Sequence, residues 1–177
     1  MRVDDSDPTE IPLLIGGTDN AMPIIEGVAV HGDAAFSMPL ITPVAHNLWQ
    51  GGYLDGYKLS PIFQHLVSLY PWKRYKLSRM RMDTEVYISM LDAEDQAMDS
   101  VDALARLVNV CRESGPVLVH CQAGLNRSSL VVARALYLQG VEFGEPIPGD
   151  FIVDLLREKR SPAVLCNPAF EAEVRSW

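Results

Sequence analysis

Val117-Leu118-Val119-His120-Cys121-Gln122-Ala123-Gly124-Leu125-Asn126-Arg127-Ser128-Ser129 is the stretch that decides the fold. Three consecutive branched apolar residues follow Gly115-Pro116 and read as a short strand buried on both faces. From Arg127 the chain turns helical, apolar almost all round to Gln139, with Gly140 as its cap. A buried strand that passes through a short loop into a buried helix is the building unit of a parallel α/β sheet.

Cys121 and Arg127 bracket that loop. The thiolate, not the thiol, is the nucleophilic form of cysteine, and a free cysteine is mostly protonated at neutral pH. A loop entering a helix supplies positive potential, because its unpaired N–H groups converge into a nest for anions. Gln122, Ala123, Gly124, Leu125, Asn126 and Arg127 would offer those groups to a thiolate and to phosphoryl oxygens alike. Gly124 permits a tight turn and close approach of the backbone to a ligand. Arg127 supplies a planar fork for two phosphate oxygens, which lysine cannot match. The Ser128 hydroxyl is placed to donate to the sulfur, and His120 to brace the loop by hydrogen bonding. The pattern predicts a thiolate that attacks the phosphorus of a phosphate ester. The plainer alternative is a buried structural cysteine in an ordinary βα turn.

Outward from the loop, Asp95 to Glu113 carries Ala97, Val101, Leu104, Ala105, Val108 and Cys111 on one face and reads as an amphipathic helix. Asn47–Tyr53, His65–Tyr70 and Glu85–Met90 read as strands, the second stopped by Pro71. Two more helices are predicted, at about Asp150–Lys159 and from Asn167 as N-cap with Pro168 in the first turn. The fold class expected is therefore α/β: a central, mainly parallel sheet flanked by helices, with a phosphate-binding loop between a buried strand and a helix. Residues 1–42 are broken by Pro8, Pro12, Pro23, Pro39 and several glycines and read as an irregular extension packed on the core. Ile11–Ile15 and Ile24–Val30 are candidate edge strands within it. Residues 43–177 are expected to form the catalytic domain.

At 177 residues, 48% hydrophobic and 21% charged, the chain fits one soluble globular domain. No apolar stretch approaches the roughly 20 residues that span a bilayer, and the first residues lack a signal-peptide pattern. Three cysteines make a poor disulfide framework, which points to a reducing cytoplasm. His31, His46, His65 and His120 show no metal-ligand spacing, so no metal and no cofactor is expected. A net charge of −8 argues against nucleic acid and membrane surfaces as partners. Lys73-Arg74-Tyr75-Lys76-Leu77-Ser78-Arg79-Met80-Arg81 is a local basic run. It reads as a solvated surface segment, with a rim that draws in phosphoproteins as the functional alternative.

His120, Cys121, Gly124, Arg127 and Ser128 together resemble the signature of the cysteine-dependent protein tyrosine phosphatase superfamily, His-Cys, five residues, Arg-Ser. The order of elements from about residue 44 resembles its compact dual-specificity branch. The resemblance includes Leu48-Trp49 with Gly51-Gly52, a His65-x-Val67-x-Leu69 strand, and the helix Ala133-Arg134-Ala135-Leu136-Tyr137-Leu138. It implies a phosphorylated protein as substrate and a carboxylic acid on a nearby loop as proton donor. Asp92 stands where the family places that acid, after a predicted strand and before a helix. Glu94 and Asp95 are its rivals, and the bland reading makes Asp92 a helix cap with Asp95 completing the box.

The remaining residues have simpler readings. Tyr75 reads as a surface aromatic, with a phosphotyrosine cleft as alternative. Arg160 reads as a helix C-terminal cation rather than a substrate contact. Cys111 reads as core, and Cys166 is unassigned; either is a candidate for a protective disulfide with an oxidised Cys121. The loop interior lacks the Lys and Arg that phosphoinositide phosphatases of the resembled superfamily tend to place there, so the resemblance implies phosphotyrosine, with phosphoserine and phosphothreonine open. Two other functions stay in play: a weakly catalytic phosphoprotein-binding module, and a phosphatase of a non-protein phosphate ester.

Overall fold

The structure, a computed structural model, describes residues 25–31, 34–77 and 81–177. Its elements run β1 (Ile25–His31), β2 (Ala34–Ala45), β3 (Leu48–Gly51), β4 (Lys58–Leu59), β5 (His65–Ser68), β6 (Lys76–Leu77), β7 (Thr84–Tyr87), α1 (Met98–Ser114), β8 (Val117–His120), α2 (Arg127–Glu142), α3 (Gly149–Lys159) and α4 (Pro168–Arg175). The main sheet has six strands in the order β1-β2-β3-β8-β5-β7. β3, β8, β5 and β7 are parallel neighbours, whereas β1 and β2 extend the sheet antiparallel. β4 and β6 form a separate parallel pair.

β8 is central because all four of its residues are buried, and it can therefore take a strand on each edge. Its side chains alternate between two apolar clusters. Val117 and Val119 join Leu48 and Val67 under the helices, while Leu118 joins Trp49 and Leu66 on the opposite face. All four helices contribute to the first cluster. The second is covered by Tyr57, Leu59 and Phe63 from the β3–β5 connection, which carries β4, and by Tyr75 and Met82 from the β5–β7 connection, which carries β6. Leu118 is wholly buried, and truncating such a residue to Ala typically costs about 2–5 kcal/mol. Arg134 of α2 pairs with Asp102 of α1 at 2.6 Å, and Arg157 of α3 with Glu171 of α4 at 2.9 Å.

Several expectations need correction. The candidate edge strand at Ile24–Val30 is found as β1, at the edge of the sheet, but residues 34–42 are not irregular: they form the first part of β2, and the boundary expected between 42 and 43 falls inside β2. Ile11–Ile15 lies outside the described residues. Pro39 is accommodated beside a register shift; Pro8, Pro12 and Pro23 lie outside the described residues. Ile25 pairs with Ile41 but Glu26 with Pro39, which leaves Leu40 as an extra residue, and a second shift lies between Pro43 and Ala45. Proline is tolerated at such bulges because no ladder N–H is required of it. The helix expected to stop at Gly140 continues to Glu142. Gly140 lies within it, where a Cβ would stand 2.6 Å from Glu145 O, so the glycine admits the returning chain. Finally, α1 begins later than expected, with Ala97 at its N-cap and no side-chain cap bond, so neither Asp92 nor Asp95 caps it.

Candidate active site

The 122–126 loop has each of its carbonyls held from behind. Gln122 O accepts from Tyr53 N at 2.7 Å, and Ala123 O from Arg160 Nη2 at 3.0 Å. Gly124 O takes Arg160 Nε at 2.7 Å and Gln50 Nε2 at 2.9 Å. Leu125 O takes Leu165 N and the Ser129 hydroxyl, both at 2.7 Å, and Asn126 O takes Leu130 N at 2.8 Å. In a trans peptide the N–H lies opposite the C=O, so anchoring the carbonyls outward turns the amides inward. Gly124, at φ +73°, makes the left-handed turn. Its amide donates to Cys121 Sγ at 3.2 Å.

Cys121 is 2% exposed at the end of β8, with its amide on Gly51 O at 3.3 Å. The Ser128 hydroxyl lies 3.4 Å from its sulfur. Arg127, at the first turn of α2, donates through Nη1 to Leu69 O at 3.3 Å, and its guanidinium stands 5.8 Å from the Tyr70 ring centre. Its Nε is buried without a partner among the described residues, a donor suited to an anionic oxygen. His120 is fully buried and donates from Nδ1 to Cys121 O at 3.2 Å. Burial, helped by the charge of Arg127, pushes the His120 pKa down to about 4 against the bond to Cys121. The imidazole is thus a neutral brace at working pH.

Asp92 comes to the same rim. Its Oδ2 accepts from Asn126 Nδ2 at 3.0 Å and its Oδ1 from Asn167 Nδ2 at 2.9 Å. Glu94 instead lines a small depression with Met98, Leu130, Phe170 and Glu173. Asp95 is exposed, and the described contacts give it no link to the loop. The structure therefore brings Cys121, Arg127, Ser128, His120 and Asp92 together and leaves the two rivals aside.

Sequence reading missed four supports of the loop. Arg160 does stand at the C-terminus of α3, but it is 5% exposed, and besides the two loop carbonyls it donates to Pro39 O at 2.8 Å, Leu40 O at 3.3 Å and Thr42 Oγ1 at 3.2 Å. Burial draws its pKa down to about 10, opposed by Cys121 and Tyr75, so it keeps its charge near neutrality. Tyr75 is buried, not on the surface; its hydroxyl donates to Gly52 O and its ring lies 4.8 Å from that of His120. Gln50 holds Gly124 O and the Ser129 hydroxyl. Asn167 does cap α4, accepting from Ala169 N and Phe170 N, and also reaches Asp92. Of these, Gln50 carried the clearest signal, a polar residue inside a strand that is otherwise wholly apolar and buried. The described part of the basic run exposes Lys73, Arg74 and Lys76; Ser78, Arg79 and Met80 lie outside the described residues.

A buried thiol that meets a loop amide and a hydroxyl, with Arg127 at the start of the following helix and Asp92 bonded to the loop through Asn126, is an arrangement suited to covalent phosphoryl transfer. Residues 75–172 match the protein-tyrosine phosphatase family, and the chain belongs to that family. Dual specificity protein phosphatase OPG106 of vaccinia virus (strain Copenhagen) is 26% identical over 145 residues, which cover 79% of this chain and 83% of that protein. The solved structure of DUSP15 superposes with a TM-score of 0.58 at 19% identity, covering 77% of this chain and 85% of that one. That of the human tyrosine phosphatase-like serine/threonine/tyrosine-interacting protein gives 0.58 at 14% identity, covering 77% and 93%. The chain is a protein phosphatase of the dual-specificity-like branch, built on that fold.

Proposed function

We propose that this phosphatase cleaves phosphate monoesters on proteins with Cys121 as nucleophile and Asp92 as general acid and base. The observation that carries the reading is the surroundings of the sulfur. A backbone amide at 3.2 Å and a hydroxyl at 3.4 Å both face Cys121 Sγ, inside a loop whose carbonyls are all held elsewhere. In the first step the thiolate attacks phosphorus, the S–P bond forms, and the ester P–O bond breaks. Asp92 gives its proton to the leaving oxygen, while Arg127 and the amides of Gln122 to Arg127 hold the equatorial oxygens. In the second step water attacks phosphorus, Asp92 takes its proton, and the S–P bond breaks. Ser128 donates to the departing thiolate. His120 acts through the loop, fixing the Cys121 carbonyl.

Phosphotyrosine is the substrate class favoured, with phosphoserine and phosphothreonine beside it. Exposed Trp72 and half-buried Tyr70 form an aromatic wall beside Arg127, and Lys73 and Arg74 supply local positive charge on an acidic protein. All three cysteines are unpaired, which supports a reducing cytoplasm as the compartment. The catalytic domain of this reading takes in β2 as well as residues 43–177, because Pro39 and Leu40 hold Arg160.

The test is hydrolysis of p-nitrophenyl phosphate by wild type, Cys121→Ser and Asp92→Asn, in EDTA, across roughly pH 5 to 8. Turnover abolished in Cys121→Ser, and lowered about 10²-fold or more in Asp92→Asn with loss of one limb of the pH profile, is expected. Substantial turnover by Cys121→Ser would falsify the covalent mechanism. A folded wild type inert on this substrate and on phosphotyrosine peptides would make the protein a phosphoprotein-binding module.

A further inference from the structure

The carboxylate of Asp92 has a separate amide on each oxygen. Asn126 Nδ2 donates to Oδ2 and Asn167 Nδ2 to Oδ1. The orientation of both amides is settled by what their oxygens accept. Asn126 Oδ1 takes the backbone N–H of Asn167 at 2.9 Å and the Cys166 thiol at 3.4 Å. Asn167 Oδ1 takes Ala169 N at 3.0 Å and Phe170 N at 3.5 Å as the cap of α4. Backbone N–H groups can only donate, so the oxygen end of each side chain faces them and the NH2 end faces Asp92.

The segment that carries Asp92 has little else to hold it. Leu91, Asp92, Glu94 and Asp95 are exposed. Among the described residues its other bonds are Leu91 N to Gln96 Oε1 at 3.2 Å, Gln96 N to Ala93 O at 3.3 Å and Gln96 Nε2 to Ala97 O at 3.2 Å, with buried Met90 ahead of it; none of these reaches the Asp92 carboxyl group. The two amides are thus what fastens the carboxyl group to the rim, one from the loop and one from the helix cap.

We infer that Asn126 and Asn167 are positioning residues that form a two-armed clamp on the general acid, and that the start of α4 is part of its mounting. This rests on Asp92 being the acid. An amide N–H bonds more strongly to a carboxylate than to a neutral carboxyl group. The clamp therefore tightens as the proton passes to the leaving oxygen, and its contribution is larger in the transition state than in the bound substrate. It also keeps the carboxylate in place to receive the proton of water in the second step.

The consequence is a dependence on the leaving group. Phenyl phosphate has a poor leaving group and needs the acid; 2,4-dinitrophenyl phosphate has a good one and does not. Asn167→Ser keeps a good cap for α4 but withdraws the donor from Asp92. It is expected to lower kcat on phenyl phosphate about tenfold, equivalent to one hydrogen bond in the transition state. KM and the rate on 2,4-dinitrophenyl phosphate should stay within about twofold. Asn167→Asp, which also keeps the cap but turns a carboxylate on Asp92, should lose more on phenyl phosphate. Adding Asn167→Ser to Asp92→Asn should cost nothing further. Equal loss on both esters, no loss on either, or an additive effect with Asp92→Asn would overturn the clamp. If Asp92→Asn itself slowed both esters equally, the assignment of the acid would fail instead, so the two failures are distinct.

Discussion

Arg160 and Cys121 address opposite ends of the Gly124 residue. Arg160 Nε holds its carbonyl at 2.7 Å from behind, and its amide reaches the Cys121 sulfur at 3.2 Å in front. Arg160 Nη2 also holds Ala123 O, the carbonyl of the peptide unit that carries the Gly124 N–H, at 3.0 Å, so a buried cation orients the donor that meets the nucleophile without touching it. Replacing Arg160 by Met removes a donor from five acceptors, of which Gly124 O keeps Gln50 Nε2 and Leu40 O keeps Gly52 N. Chemical denaturation should show a loss of about 3 kcal/mol or more. Arg160→Lys retains the charge but not the planar fork, and should keep part of the stability with reduced turnover.

Gly52 carries a second prediction. A Cβ there would stand 2.8 Å from Ala123 O and 2.9 Å from Ala123 C, both backbone atoms of the phosphate loop. The loop must shift to admit it. Gly52→Ala should lower kcat on an aryl phosphate by about 10²-fold, the scale expected of an ångström-sized misplacement. An unchanged kcat would show that the loop yields without harm.

His120 makes stability depend on pH. Its folded pKa, about 4, lies below the ordinary histidine value near 6.5 because burial disfavours the charged ring. Between these values the unfolded chain binds more protons than the folded one, so stability rises with pH through this window. The contribution is complete above about pH 6.5 and is lost as pH falls toward 4, amounting to roughly 3 kcal/mol. Unfolding free energies of wild type and His120→Gln, compared point by point over that window, should converge as the pH is lowered. An unchanged gap would mean that His120 titrates normally.

Trp72 is 66% exposed and packs at 5.7 Å on Tyr70, the ring beside Arg127. If this wall contacts substrate, Trp72→Ala should lower kcat/KM on a phosphotyrosine peptide by about fivefold. The rate on p-nitrophenyl phosphate and the unfolding midpoint should barely move. Equal rates on the peptide would free Trp72 from that role.

The loop and its flanks were readable because their signals are local. Val117 to Val119 is a continuous apolar run, and Cys121, Gly124 and Arg127 follow at fixed spacing in one turn of chain. β2 was hidden for a physical reason: Pro39 and Pro43 look like breakers, yet they sit where the ladder shifts register. That shift leaves the Leu40 carbonyl available to Gly52 N at 2.9 Å and to Arg160. Asn126, Asp92 and Asn167 are ordinary polar residues in sequence. They meet only because the start of α4 returns to the rim, with the outer two partners 75 positions apart. Arg160 reads as a cation at a helix C-terminus, which it is, but nothing nearby in the chain indicates the two carbonyls and the Thr42 hydroxyl it reaches 118 to 121 positions away.

Those long spans govern when the enzyme becomes active as it folds. The loop can be built from residues 117–130, but its backing comes from Pro39, Leu40, Tyr53, Arg160 and Leu165. Contacts so distant along the chain form late, because their closure entropy must be met before they stabilise anything. Helix and strand signals should therefore recover first in a refolding experiment, and turnover should trail them. Simultaneous recovery would mean that the loop is shaped from the outset. Delayed recovery would make catalysis a reporter of the last step of assembly, and would leave a half-made chain harmless to the phosphoproteins around it.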